Sequence, residues 1–180
     1  MIRLYIGKSG AGKDYFLNKD VNSGKFKRIV SFTTRPPRPK ETDGVDYVFL
    51  SKDEFDKAEK METRSYETEP SDDGIKETWY YGSPLLKDYI LNDYVGVVDI
   101  AGAEKYITRY GKENVEIVYV EADDALRKER AESRGGFVLK EWNRRLEDDS
   151  VKFSPENVYR LFGKVKKFKT ITNNFERKGA

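Results

Sequence analysis

Apolar positions in this chain come in short blocks whose period changes from one block to the next. Residues 2–6, IRLYI, are nearly all apolar, the pattern of a buried strand, and KDYFLNKDV then sets Phe16, Leu17 and Val21 on one face of a helix. RIVSF and DYVFL are short strand-like runs, separated by TTRPPRPKETDG, whose three prolines and glycine force an extended, turning loop. SKDEFDKAEKM begins as a capped helix, with Ser51 as N-cap and Glu54 three residues on. ETRSYET suits a strand, PSDDGIKE a polar turn, and WYYGSP is expected to lead into a helix through about Ile90.

YVGVVDIAGA is the strongest buried-strand pattern in the chain and is followed by a helix, AEKYITRYG, ending at Gly111. VEIVYVEA predicts another strand. DDALRKERAESRGG predicts a helix capped by Asp123 or Asp124 and stopped by Gly135 and Gly136, and EWNRRLEDD opens a further helix. KKFKTITNN alternates as a last strand would, and the lysines of GKVKKFK suit the exposed side of a sheet edge better than a nucleic-acid contact. Strands that alternate with helices predict an α/β fold with a mostly parallel central sheet. No repeat, low-complexity tract or interdomain linker interrupts the pattern.

Composition narrows the chemistry. Over 180 residues, apolar and charged residues each make up 37%, and the net charge of +2 argues for neither nucleic acid nor membrane as a partner. No apolar run is long enough to span a bilayer, so a cytoplasmic protein is expected. The chain has no Cys and no His. Thiolate chemistry is therefore excluded, and the commonest general base is missing. Reactions that need no base gain ground.

The first strand runs into GKSGAGKD. Gly7, Ser9, Gly10, Ala11 and Gly12 form a glycine-rich turn, and Lys13 opens the next helix. Backbone N–H groups of such a turn, with the helix N-terminus behind them, point at an anion, and Lys13 would reach the terminal phosphates of a nucleotide. The position after the lysine usually carries a hydroxyl that ligates magnesium; here it is Asp14, whose hard carboxylate oxygen suits Mg2+ directly or through water. Arg35 and Arg38 sit on the proline-stiffened loop as a second anion clamp, with Tyr47 near enough in sequence to add a hydroxyl.

Taken together, GKSGAGK, SFTTRPPRP, DGVDYVF, WYYGS, VVDIAGA, and RAESRG followed by NRRL resemble the guanylate kinases, in the family's order from residue 7 to about 146. The resemblance implies a P-loop NTPase three-layer core at about 1–32, 91–123 and 147–180. It also implies two mobile attachments, a monophosphate-binding flap near 33–90 and a lid near 124–146; Gly135 and Gly136 suit hinges of that lid. It implies transfer of the γ-phosphoryl group of ATP to GMP or dGMP with Mg2+, in a monomer or homodimer.

By position, Arg35, Arg38, Tyr47 and Tyr81 match contacts to the acceptor phosphate, and Glu41 a carboxylate that orients them. Ser31 and Ser83 match residues of the base pocket, Asp99 an acidic residue near the acceptor, and Arg130, Arg134 and Arg145 arginines around the phosphates. Lys13, Arg38, Arg134 and Arg145 would act in catalysis, and Arg130 beside ATP. Glu62 is the best match for the guanine-reading carboxylate, with Glu67 and Glu69 as alternatives because the surrounding segment departs from the family's length. Asp14 is a second departure, shared with similar kinases of ribose bisphosphate, which keeps another acceptor open. A noncatalytic protein-binding module of the same likeness would usually lack the intact loop.

The acceptor in this reaction is a phosphate oxygen already ionised at neutral pH, so a chain without histidine can perform it. The task is to hold two anions, stabilise charge on the transferring group and exclude water by closure.

Overall fold

The computed structural model describes residues 1–39, 41–68, 75–133 and 137–175. The chain divides into two compact units, Met1–Arg28 with Ile90–Ala180, and Ile29–Tyr89.

The larger unit is built on a five-stranded, wholly parallel sheet. Its strands are β1 (Ile2–Ile6), β2 (Lys27–Arg28), β7 (Tyr94–Val97), β8 (Val115–Glu121) and β9 (Lys167–Thr172), in the order β2-β7-β1-β8-β9. β1 and β8 lie inside this sheet, which is why they read as continuous apolar runs: Ile2, Leu4, Ile6, Ile117, Val118 and Val120 are fully buried. Helix α1 (Lys13–Asn22) packs on β1, β2 and β7, burying Leu17 in a cluster with Tyr5, Val95 and Val118. Helix α3 (Ile100–Tyr110) packs on β1 and β8, its start fixed by the Asp99 side chain, which accepts from the Gly102 N–H at 2.8 Å. Helices α4 (Asp124–Glu132), α5 (Leu139–Lys152) and α6 (Pro155–Phe162) complete the unit. β9 is an edge strand with its lysines exposed, as the alternation predicts.

The smaller unit holds a four-stranded mixed sheet of β3 (Ser31–Thr33), β4 (Tyr47–Phe49), β5 (Lys60–Thr68) and β6 (Glu77–Pro84), in the order β4-β3-β6-β5. β3 runs parallel to β4 and antiparallel to β6, which is antiparallel to β5. Helix α2 (Lys52–Lys57) carries the predicted capping box: the Ser51 hydroxyl accepts from the Glu54 N–H while the Glu54 carboxylate accepts from the Ser51 N–H. No described helix is long and apolar enough to cross a membrane.

The structure corrects several sequence expectations. RIVSF is not one strand: Arg28 ends β2 in the larger unit and Ser31 begins β3 in the smaller. α2 stops at Lys57, and the rest of its predicted span enters β5. No helix follows WYYGSP; Glu77–Pro84 is a strand and residues 87–91 are turns. With Ile90 and Leu91 both more than 80% exposed, that segment has no packed apolar face to sustain a helix so short. Asp123 occupies the N-cap of α4 but makes no side-chain capping bond. Helix α6 was not expected, although Ser154 at the cap, Pro155 in the first turn and Gly163 after the end are its local signals. Gly135 and Gly136, expected to stop α4 and act as hinges, lie outside the described residues.

Candidate functional site

In the larger unit, the turn between β1 and α1 has its carbonyls fastened from behind. Lys13 Nζ donates to the Gly7 and Lys8 oxygens at 2.8 and 3.0 Å. Arg127 Nε donates to the Ser9 oxygen at 2.8 Å, Arg130 Nη1 lies 3.4 and 3.5 Å from the Gly10 and Ala11 oxygens, and Asn173 Nδ2 donates to Ala11 at 2.8 Å. Five successive carbonyls, Gly7 to Ala11, thus face donors of the protein itself. A turn whose carbonyl dipoles are held in this way is preorganised for an anion at its N–H side.

Gly10 and Gly12 adopt φ of 78° and 90°. A Cβ at Gly10 would stand 2.5 Å from the Arg127 carbonyl oxygen, and one at Gly12 would collide with Asn173 Nδ2. Close approach as well as backbone conformation therefore demands glycine at both. Asp14 is exposed in the first turn of α1.

The three arginines expected around the phosphates have different settings. Arg130 is buried, and its Nη2 donates to the Asn173 and Phe175 oxygens at 2.9 and 2.8 Å, so its guanidinium supports the turn from beneath. Arg134 lies outside the described residues. Arg145 is half-buried on α5 and donates to Glu141 at 2.7 Å. Glu141 also accepts from Arg144 at 2.8 and 2.9 Å. Burial alone would raise the Glu141 carboxyl above its ordinary value, but the hydrogen bonds and charges of Arg144 and Arg145 outweigh it and bring it to about 2.

A carboxyl depressed on folding stabilises the fold fully above its unfolded value of 4.5 and loses that contribution as pH falls toward 2. Glu141→Gln is therefore expected to melt about 3 °C below wild type at neutral pH, the scale of about 1 kcal/mol for a partly exposed pair. The gap should close as the pH is lowered from 4.5 to 2. Scanning calorimetry across that range checks it; a gap independent of pH would contradict the assignment.

In the smaller unit, strand register gathers residues that lie far apart in sequence. Tyr47 pairs with Ser31 across β4 and β3, and Ser83 pairs with Glu62 across β6 and β5. Phe32 opposite Gly82 puts Ser31 and Ser83 at the same level, so Tyr47, Ser31, Ser83 and Glu62 form one cross-strand row. Phe49, Thr33, Tyr81 and Arg64 form the next row on the same face.

Glu62 is only 7% exposed. Its carboxylate accepts from Ser83 Oγ at 3.0 Å and from Arg64 Nε at 3.1 Å, with a second bond from Arg64 Nη2. Glu67 points to the other face of β5, 67% exposed and paired with Lys76. Glu69 lies outside the described residues.

Beside this face, Arg35 is buried and donates from Nη2 to both Glu41 oxygens at 2.9 Å and from Nη1 to the Pro36 carbonyl at 2.6 Å. Its guanidinium carbon lies 5.4 Å from the Tyr47 ring centre. Glu41 also accepts from the backbone N–H of Arg38, whose side chain is exposed. The Tyr81 ring contacts those of Tyr47 and Tyr66 at 6.1 and 5.6 Å. Arg35, Glu41, Tyr47, Tyr81, Ser31, Ser83 and Glu62 are thus brought together within this unit, whereas Asp99 belongs to the larger one.

Sequence reasoning missed Arg64, Tyr66, Arg127, Asp149 and Asn173. The period-two alternation of β5 was the available signal for Arg64 and Tyr66, which fall on the same face as Glu62.

Comparison with known proteins bears on what these arrangements are for. The family model for guanylate kinase matches residues 2–67. A guanylate kinase of Latilactobacillus sakei is 38% identical over 92 residues, 47% of this chain and 40% of that protein. One from Chlamydia muridarum is 52% identical over 50 residues, 26% of this chain and 24% of that protein. The N-terminal part of the chain is thus similar in sequence to guanylate kinases. The aligned part spans less than half the length of these curated guanylate kinases. The likeness in fold extends further. The crystal structure of guanylate kinase from Anaplasma phagocytophilum covers 97% of this chain, and 77% of itself, with a TM-score of 0.60 at 20% identity. That match shows the fold, an α/β arrangement of the P-loop NTPase kind, for nearly the whole chain.

Proposed function

We propose that the chain is an ATP-dependent nucleoside monophosphate kinase that converts GMP or dGMP to the diphosphate. The observation that carries this reading is the turn at Gly7–Lys13, whose carbonyls are held on protein donors and which runs into the N-terminus of α1 with Lys13 in its first turn, a backbone suited to a triphosphate. The smaller unit supports the choice of acceptor. Arg35, oriented by Glu41 and Tyr47, and the exposed Arg38 suit a monophosphate. Glu62, steadied by Ser83 at the end of the cross-strand row, offers acceptor oxygens to the N1–H and 2-amino donors of guanine.

Lys13, Arg38, Arg145 and Arg134 would neutralise charge on the transferring phosphoryl group, and Arg130 would keep the turn in shape. The acceptor oxygen needs no base. Magnesium would come with ATP, and an exposed single carboxylate next to Lys13 fits it, because Mg2+ commonly takes one or two carboxylates and fills the rest with phosphate oxygens and water. Asp14 is the residue proposed to hold it, directly or through water; the ion would screen the transferred phosphates.

The test is ADP release from ATP across the nucleoside monophosphates and ribose 1,5-bisphosphate, over a magnesium series. GMP and dGMP are expected to exceed every other acceptor by about 10²-fold or more in kcat/KM. Asp14→Ala should shift the magnesium requirement upward about tenfold or more. Preference for another acceptor would move the assignment within the same scaffold; no ADP release with any acceptor would sink it. Unchanged magnesium dependence in Asp14→Ala would leave that carboxylate as a helix-start residue.

A further inference from the structure

The nucleotide turn is fastened to two helices by a pair of charged side chains that no motif of the sequence singles out. Asp149 Oδ2 accepts from the Ser9 N–H at 2.6 Å, Arg127 Nε donates to the Ser9 oxygen at 2.8 Å, and Arg127 Nη2 lies 3.3 Å from the same Asp149 oxygen. The three residues close a ring of hydrogen bonds through the main-chain N–H and carbonyl of Ser9. Arg127 is fully buried and Asp149 nearly so. Arg127 also bonds Asp124 on its own helix and lies with its guanidinium carbon 5.8 Å from the ring centre of Trp142 on α5.

We propose that Arg127 and Asp149 are positioning residues for the donor nucleotide, holding the Ser9 peptide so that the turn is preformed for a triphosphate and linking its occupancy to α5. The inference rests on the reading of Gly7–Lys13 as the ATP site.

Burying an ion pair is a poor way to stabilise a core, since well-packed apolar residues of similar volume do as well or better. What this pair adds is a donor and an acceptor aimed at the main chain of the loop. Two spacings extend the effect. Arg127 and Arg130, three apart on α4, bond the Ser9, Gly10 and Ala11 carbonyls in succession. Arg145 and Asp149, four apart on α5, share a face, so the helix that grips Ser9 also carries an arginine proposed to meet the transferred phosphate. A shift of the Ser9 peptide when ATP binds is thereby felt by α5 through Asp149.

The test uses the full chain and four measurements: calorimetric MgATP affinity, KM for each substrate, melting temperature, and hydrogen exchange of residues 139–152 with and without saturating MgATP. Asp149→Ala is expected to weaken MgATP binding and raise the KM for ATP about 10- to 100-fold while the KM for GMP stays within about twofold. Asp149→Asn, whose amide oxygen still accepts from Ser9, should recover to within about fivefold of wild type. Arg127→Lys keeps the charge but cannot bridge Ser9 and Asp149 as the planar fork does, and should resemble Asp149→Ala. MgATP should slow exchange in α5 in wild type and Asp149→Asn, and not in Asp149→Ala at saturation.

If the Ala variant does not fold, the Asn and Lys variants carry the same comparison. MgATP bound alike by wild type and the variants, or equal losses toward both substrates that follow the melting temperature, would overturn the proposal alone. Failure of wild type to bind MgATP would overturn the nucleotide reading and this proposal with it.

Discussion

Lys13→Ala is expected to lower phosphoryl transfer from ATP to GMP about 10³-fold or more, with a melting temperature within about 3 °C of wild type. Lys13 Nζ lies in hydrogen-bond contact with the Gly7 and Lys8 carbonyls of the turn proposed to hold the triphosphate. In the transition state, charge spreads over the oxygens of the transferring group, and a fixed cation there needs no reorganisation to meet it. Removal of a single neutral donor from such a position commonly costs 10²- to 10³-fold, and a full charge does at least as much; 10³ corresponds to about 4 kcal/mol of barrier.

The structural consequence of the change is smaller. Two partly buried carbonyls lose one donor that water can replace, a loss of about 1 kcal/mol. Activity should therefore collapse while folding persists, and affinity for GMP should change little. Coupled kinetics and calorimetry on the same preparation separate these effects. A folded Lys13→Ala protein with activity within tenfold of wild type would remove the turn from the mechanism.

Local patterns carried most of the first part of the fold. The change from the apolar run Ile2–Ile6 to helical spacing after Lys13 fixes strand, turn and helix within 22 residues, because each is specified by near neighbours. The Ser51–Glu54 capping box is legible for the same reason. The split of RIVSF was not. Whether Arg28 pairs with Val95 or joins Ser31 in one strand depends on partners some 65 residues away, and no local period records that.

The site shows the same division. Arg35 and Tyr47 were legible as an anion clamp on a proline-stiffened loop and Glu62 through the family likeness, but the assembly of Tyr47 and Glu62 into one cross-strand row follows from register. Arg127 and Asp149 were missed by sequence reasoning. Only tertiary packing buries Arg127 against Ser9 and Trp142, and a charged residue pulled inward by a main-chain partner leaves no signature in hydrophobic periodicity.

Glu62→Gln is the second change expected to have a large effect, lowering kcat/KM for GMP about 10²- to 10³-fold. Guanine presents two donors side by side, N1–H and the 2-amino group, and an ionised carboxylate offers acceptors to both. A glutamine offers one acceptor and sets its own NH₂ against the other donor, leaving a buried polar group unpaired. Glu62 is buried, and Ser83 and Arg64 hold its carboxylate in place on the row that also contains Ser31 and Tyr47.

Inosine monophosphate, which lacks the 2-amino group, separates recognition from general damage. Wild type should prefer GMP over it by about tenfold or more, and Glu62→Gln should nearly abolish that preference, since the lost acceptor is the one the amino group needs. MgATP affinity should be unchanged, because the turn that would bind it belongs to the other unit. Loss of the Glu62 charge also removes an ionic partner of Arg64, and the double variant Glu62→Gln with Arg64→Met is expected not to regain GMP selectivity. If Glu62→Gln keeps full preference for GMP and Glu67→Gln loses it, the base reader lies on the opposite face of β5 and the cross-strand row has another purpose.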